Sequence, residues 1–182
     1  NKLWIGGPGG LDMLDTKSRV FTHVQNKLGE GTTISNTSIY NIAVDKKQNV
    51  WAITNEGLNR LDEQTGRFKK YLDRTPVNFV LADRQGNLWC STFQGVFKYD
   101  QESDNFLNFT DESGLTNTPS FWMDEDSEQN IWIAAVAGII RLDKDRKNAV
   151  LFGKSQAVNV GALTGSPFIR QNGDILVGDS TG

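Results

Sequence analysis

Residues 49–68 read NVWAITNEGLNRLDEQTGRF, and this stretch decides the fold. It opens with a short apolar strand around Trp51 and turns near Gly57. It returns through Leu58–Asp62 and turns again through the polar EQTG at 63–66 before Phe68. The same phrase recurs along the chain. Aligned on the aromatic of the first strand, Trp51 has counterparts in Trp4, Trp89 and Trp132, and Leu176 takes that place in a fifth copy. The steps between them are 47, 38, 43 and 44 residues. Six residues after each anchor stands a glycine: Gly10, Gly57, Gly95, Gly138 and Gly182. Eleven residues after it stands an aspartate: Asp15, Asp62, Asp100 and Asp143. At seventeen come Phe21, Phe68 and Phe106, while the fourth copy reads as slipped, with Leu151 and Phe152 nearby. A period in the low forties built of short strands is the period of propeller blades.

Each register has a physical job. The indole is a large apolar body that fills the space between stacked sheets. The glycine permits a turn at positive φ, and the aspartate can bond its own backbone and open the next turn. Ahead of each anchor lies another alternating strand, such as IYNIAVD at 39–45, ending in Asp45, Asp83, Asp124 or Arg170. Each unit therefore has four strands, A to D. The blades are predicted at 1–24 (strands B to D only), 39–72, 78–109, 119–152 and 166–182 (strands A and B only). No unit can bury an apolar face alone, so neighbours must stack. A sandwich is the competing architecture, and such strict internal similarity argues against it.

Composition narrows the function. Charged residues make up 23% of the 182, the net charge is −3, and basic residues are scattered, which suggests neither disorder nor a nucleic-acid surface. No apolar run reaches the ~18 residues that a membrane span needs. Cys90, the single cysteine, sits in an apolar strand and reads as a buried inert thiol, with no disulfide possible within the chain. His23, the single histidine, excludes a histidine cluster for a metal and argues against a histidine-based triad. Acidic residues recur with the turns, so they are no sign of paired acid chemistry. DEDSEQN at 124–130 has a calcium-like composition but lacks the loop spacing and central glycine, and reads as a polar hairpin. No cofactor or metal is expected. The chain opens and stops inside its own repeating unit, with no signal peptide, and reads as a piece of something longer.

The repeat, seen in Gly57–Phe68, in the hairpin Asp83–Trp89 and in the connecting Gly114–Leu115, resembles the two-component regulator propeller repeat. That resemblance implies an all-β fold, a β-propeller fragment of about four four-stranded antiparallel blades out of a seven-bladed ring. It implies the ligand-sensing part of a periplasmic, membrane-associated sensor of Bacteroides hybrid two-component systems, with a kinase region outside this chain. The implied partners are an oligosaccharide, the remaining blades and a second protomer. Binding diversity in such a ring goes to the B–C and D–A connections and the start of each strand A. Sugar recognition wants aromatic faces, amides and, for acidic sugars, arginine. Tyr40, Arg74, Asn78, Phe93 and Trp122 supply that mixture and are the candidate ligand residues. Two other readings compete: a structural propeller whose surfaces mediate dimerisation, and a fragment of a propeller lyase or hydrolase.

Overall fold

A computed structural model describes residues 2–24, 33–109, 117–153, 168–169 and 174–176. The described residues are all strand and turn. The first sheet holds three strands among the described residues, β1 (Lys2–Gly7), β2 (Gly10–Asp15) and β3 (Val20–Val24). The second holds β4 (Ile39–Val44), β5 (Val50–Thr54), β6 (Gly57–Asp62) and β7 (Arg67–Tyr71). The third holds β8 (Val77–Ala82), β9 (Leu88–Thr92), β10 (Gly95–Asp100) and β11 (Asn105–Asn108). The fourth holds β12 (Ser120–Glu125), β13 (Ile131–Ala135), β14 (Gly138–Leu142) and β15 (Ala149–Phe152). A pair, β16 (Phe168–Ile169) and β17 (Ile175–Leu176), begins a fifth. Strand order follows chain order in every sheet, as in a meander of propeller blades. The expected positions 25–32, 110–116, 154–167, 170–173 and 177–182, Gly182 included, lie outside the described residues.

The chain divides into two compact units, residues 1–82 and 83–182. In the first unit the core forms where the first two sheets stack. Leu11, with the partly buried Trp4 and Val24, packs against Val50, Ala52, Leu61 and Phe68, joined by Ile34 and Ile39. Gly6 lets the sheets approach: a Cβ there would lie 2.5 Å from Ile39 Cγ2 and 2.9 Å from its Cβ. In the second unit the buried apolar residues of the inner strands include Leu88, Trp89, Cys90, Trp122, Met123, Ile131 and Ile133. Burial holds the Cys90 thiol well above its ordinary range, so it stays protonated and inert.

One hairpin geometry recurs. Asp45 Oδ2 accepts the Trp51 indole N–H at 3.0 Å and the Asn49 side-chain amide at 2.8 Å, while its Oδ1 accepts the Asn49 backbone N–H at 2.8 Å. Asp83 does the same with Trp89 (2.9 Å) and Asn87, and Asp126 with Trp132 (2.8 Å) and Asn130. The carboxylate thus stands six residues before the indole each time. This corrects the sequence reading of the fourth blade, which ended strand A at Asp124: β12 runs on to Glu125, and Asp126 closes a turn no longer than the others. Asp124 instead faces Trp132 across the ladder, and burial raises its carboxyl. The residue three before each indole has positive φ: Gln48 (66°), Gly86 (95°) and Gln129 (68°).

The fourth copy has not slipped either. Leu142 pairs with Ala149, as Leu61 pairs with Phe68, so alanine occupies the phenylalanine place. A cation lies across each tethered indole from the neighbouring strand. Arg60 is 5.5 Å from the Trp51 ring centre, Lys98 5.3 Å from Trp89 and Arg141 6.0 Å from Trp132. Each is the direct cross-strand partner of its tryptophan. In the second unit Arg146, only 7% exposed, donates to Asp83 Oδ2 at 3.0 Å, Glu125 Oε1 at 3.4 Å and the Gln129 carbonyl at 2.6 Å.

These contacts fix two expectations. At Gly138 φ is 143°, and a Cβ would meet the Phe152 carbonyl oxygen at 2.2 Å. Gly138→Ala should therefore cost more than about 1 kcal/mol, and Gly6→Ala about 1–3 kcal/mol by overpacking, both read from denaturant midpoints. Burial alone would raise the Asp83 and Asp126 carboxyls, but the hydrogen bonds from asparagine, indole and, at Asp83, Arg146 outweigh it and hold both below their ordinary value. A depressed folded-state pKa stabilises above the unfolded value of about 3.9 and is lost as pH falls through the folded one. Unfolding midpoints should accordingly drop on acidification below about pH 4, and less so in Asp126→Asn. Asp83→Asn should cost more than Asp126→Asn, because it also removes a partner of the buried Arg146.

Candidate functional site

The start of strand A is built to present a side chain. In β4 the ladder pairs Ile39 with Thr54 and then Asn41 with Ile53, so Tyr40 is an extra, unpaired residue. In β12 it pairs Ser120 with Ala135 and then Trp122 with Ala134, which leaves Phe121 unpaired. Such bulges re-aim a side chain. Tyr40 is 61% exposed and Phe121 half-buried. Both lie eleven residues before their indole, and Asn78 holds the same place in β8.

In the first unit this position opens onto a cleft of about 290 Å³ lined by Tyr40, Thr54, Asn55, Pro76, Val77 and Asn78. The Thr54 hydroxyl is engaged with Ser35 Oγ at 2.7 Å. Of the lining residues Tyr40, Asn55 and Pro76 are exposed, with Asn78 half-buried beside them. Among the described lining residues the Tyr40 phenol is the only titratable group. The cleft can therefore stack a flat apolar face and hydrogen-bond hydroxyls, the mixture typical of small-molecule pockets. Arg74 is exposed in the turn from β7 to β8, where the Thr75 N–H donates to the Leu72 carbonyl at 2.9 Å, but it is not among the lining residues. Leu72 (50°) and Arg74 (57°) both have positive φ, a local conformational cost in the connection that carries Pro76 to the cleft.

In the second unit Phe93, 53% exposed, meets Phe121 edge-to-face, with ring centres 5.9 Å apart and planes at 83°. The Ser91 hydroxyl donates to the Phe121 carbonyl at 3.0 Å and steadies the bulge. Trp122, proposed from sequence as a ligand residue, is 9% exposed and belongs to the core. The aromatic that reaches the surface is its neighbour Phe121, which sequence reasoning passed over. Counting eleven residues back from each indole would have found it. Among the described residues no group of three His, Cys, Asp or Glu side chains could hold a metal ion.

No protein-family model matches the sequence, and no curated protein matches it either. Solved structures do. The extracellular domain assigned to the hybrid two component system BT4673 of B. thetaiotaomicron is similar at TM-score 0.71 and 21% identity, over 98% of this chain and 27% of that one. Virginiamycin B lyase from Staphylococcus aureus is similar at TM-score 0.63 and 10% identity, over 98% of this chain and 66% of that one. At these identities the likeness establishes the fold. The chain spans about a quarter of that B. thetaiotaomicron extracellular domain.

Adjacent aromatics should behave oppositely. Trp122→Ala should cost about 3–5 kcal/mol as a core truncation, whereas Phe121→Ala should cost about 0.5–1.5 kcal/mol, the worth of its edge-to-face pair. Urea unfolding of the two variants measures both.

Proposed function

We propose that this chain is a ligand-sensing part of a membrane-associated two-component sensor. It binds an oligosaccharide on the extracytoplasmic side and passes the event to a kinase region outside this chain. The observation that carries the binding role is the cleft at Tyr40. A ladder defect spends a pairing position to expose an aromatic ring, and amides from the B–C turn and the next strand A stand beside it. An aromatic face flanked by amides suits the alternating apolar and hydroxyl surfaces of a sugar. The likeness in fold to an extracellular sensor domain supports the setting. Arg74, one connection away from the lining, would favour acidic sugars if it swings toward them.

The chain acts by binding and not by bond cleavage. The lyase likeness supplies the competing reading; the described lining residues, a tyrosine, two asparagines, a threonine, a proline and a valine, suit binding better than cleavage. Signalling then works by population shift: ligand favours one arrangement of the sensor over another by its differential affinity.

Calorimetric titration of the chain with a panel of neutral and acidic oligosaccharides tests the reading. At least one should bind, and Tyr40→Ala should weaken it about ten-fold, or 1.4 kcal/mol, without moving the unfolding midpoint, because the ring is exposed. A silent panel, or binding indifferent to both Tyr40→Ala and Asn78→Ala, would sink the proposal.

A further inference from the structure

The base of the second unit holds a buried ionic junction that the repeat does not require. Fourteen residues after the indole, the C–D turns carry Ser18, Thr65 and Ser103, and in the fourth copy Arg146. Seven residues before it, strand A carries Val44 and Ala82, and in the fourth copy Glu125. The two departures meet. Arg146 Nη2 donates to Glu125 Oε1 at 3.4 Å in its own sheet and to Asp83 Oδ2 at 3.0 Å in the A–B turn of the third. Its guanidinium carbon stands 5.9 Å from the centre of the Trp89 ring, whose N–H is held by that same Asp83 oxygen. Glu125 answers in the other direction: its Oε2 accepts the Arg84 backbone N–H at 2.7 Å and the Arg84 side chain at 3.1 Å. Beside them the Gln85 amide donates to the Lys144 carbonyl at 2.7 Å.

Burial makes this junction costly. The side chains of Arg146, Asp83 and Glu125 are 7, 0 and 6% exposed, and Arg146 Nε is buried without a partner among the described residues. Desolvation offsets much of the attraction between such charges, and well-packed apolar residues often serve stability as well. What the arrangement supplies is geometry. The planar guanidinium also donates to the Gln129 carbonyl at 2.6 Å and the Asp143 carbonyl at 3.0 Å. It reaches all four acceptors only while the A–B turn of the third sheet and the C–D turn of the fourth stay in register. At the first stack the ion pair Lys2–Glu63 has side chains 44% and 30% exposed, where water screens it.

We infer that Arg146 is a latch that makes the third and fourth sheets open as one body, so that a disturbance in either reaches the other. This goes beyond the sensing role and stands independently of it. The latch has two discrete states, joined or parted, which is what a contact needs in order to carry coupling between elements. It also acts where coupling counts. Asp83 fixes the Trp89 indole and closes the turn into β9, so losing Arg146 loosens the frame of the third sheet from a turn of the fourth.

Amide hydrogen exchange of the whole chain, read by mass on fragments from β9 and β13, tests this. Gly138→Ala strains the fourth sheet, since the added Cβ would meet Phe152 and Gly153. In the otherwise unchanged chain it should speed exchange in β9 and β13 by the same factor, at least about five-fold. Arg146→Lys keeps the charge and loses the planar fork. In that background Gly138→Ala should speed β13 and leave β9 within about two-fold. If Gly138→Ala does not fold, Ile139→Val makes the same comparison with an expected change of about two-fold. The inference is overturned if β9 ignores the fourth-sheet substitution while Arg146 is present, because the sheets then open separately. It is overturned equally if β9 and β13 respond together in both backgrounds, because the apolar stack then carries the coupling without Arg146.

Discussion

A carboxylate that accepts three N–H groups from one hairpin governs this structure. Asp45, Asp83 and Asp126 each bind the backbone and side-chain amides of an asparagine four residues on and the indole two residues beyond it. A buried indole needs a partner for its N–H, and a buried carboxylate needs donors. Here each answers the other, and the turn between them is closed by the same atoms. The A–B hairpin, the placement of the aromatic and the register of strand B are thus fixed together. The cation lying over each ring comes from strand C, so the tethered tryptophan also locates the third strand.

From this constraint the surface follows. The lower end of strand A is held by its aspartate, and the ladder is regular there. The irregularity falls at the other end, at Tyr40 and Phe121, where the chain comes in from a connection of variable length. A rigid frame at one end leaves the opposite end open to vary in sequence without loss of register. The cleft beside Tyr40 uses that freedom. Its walls are a turn residue, Asn55, and a strand start, Asn78, both anchored through the same hairpins.

Much of this was legible in the sequence, because turns and core positions impose residue types at fixed spacing. The glycines had to recur, since Gly57 and Gly138 sit at positive φ with a carbonyl oxygen where a Cβ would be. Trp51 and Trp89 had to be large and apolar, and both are fully buried. The aspartate before the anchor was misplaced in the fourth copy, because DEDSEQN offers two aspartates and alternation alone cannot choose between them. Its hydrogen-bonding role decides for Asp126. The half-buried Phe121 was passed over because the start of strand A offers two adjacent aromatics, and the bulge that leaves Phe121 unpaired beside Phe93 has no mark of its own in the sequence. Arg146, which joins Asp83 to Glu125 from a turn after β14, gave no signal at all, since its partners are distant in sequence and a lysine- and arginine-rich turn looks solvated.

The solitary sulfur has a practical meaning. Cys90 lies in a central strand, wholly enclosed and beside a tethered ring, with no second thiol to confuse its chemistry. An alkylating reagent can reach it only when that sheet opens, so the rate of its modification reports the frequency of that excursion. The molecule therefore carries an internal gauge of how often its middle comes apart, readable by mass without any label being engineered into it.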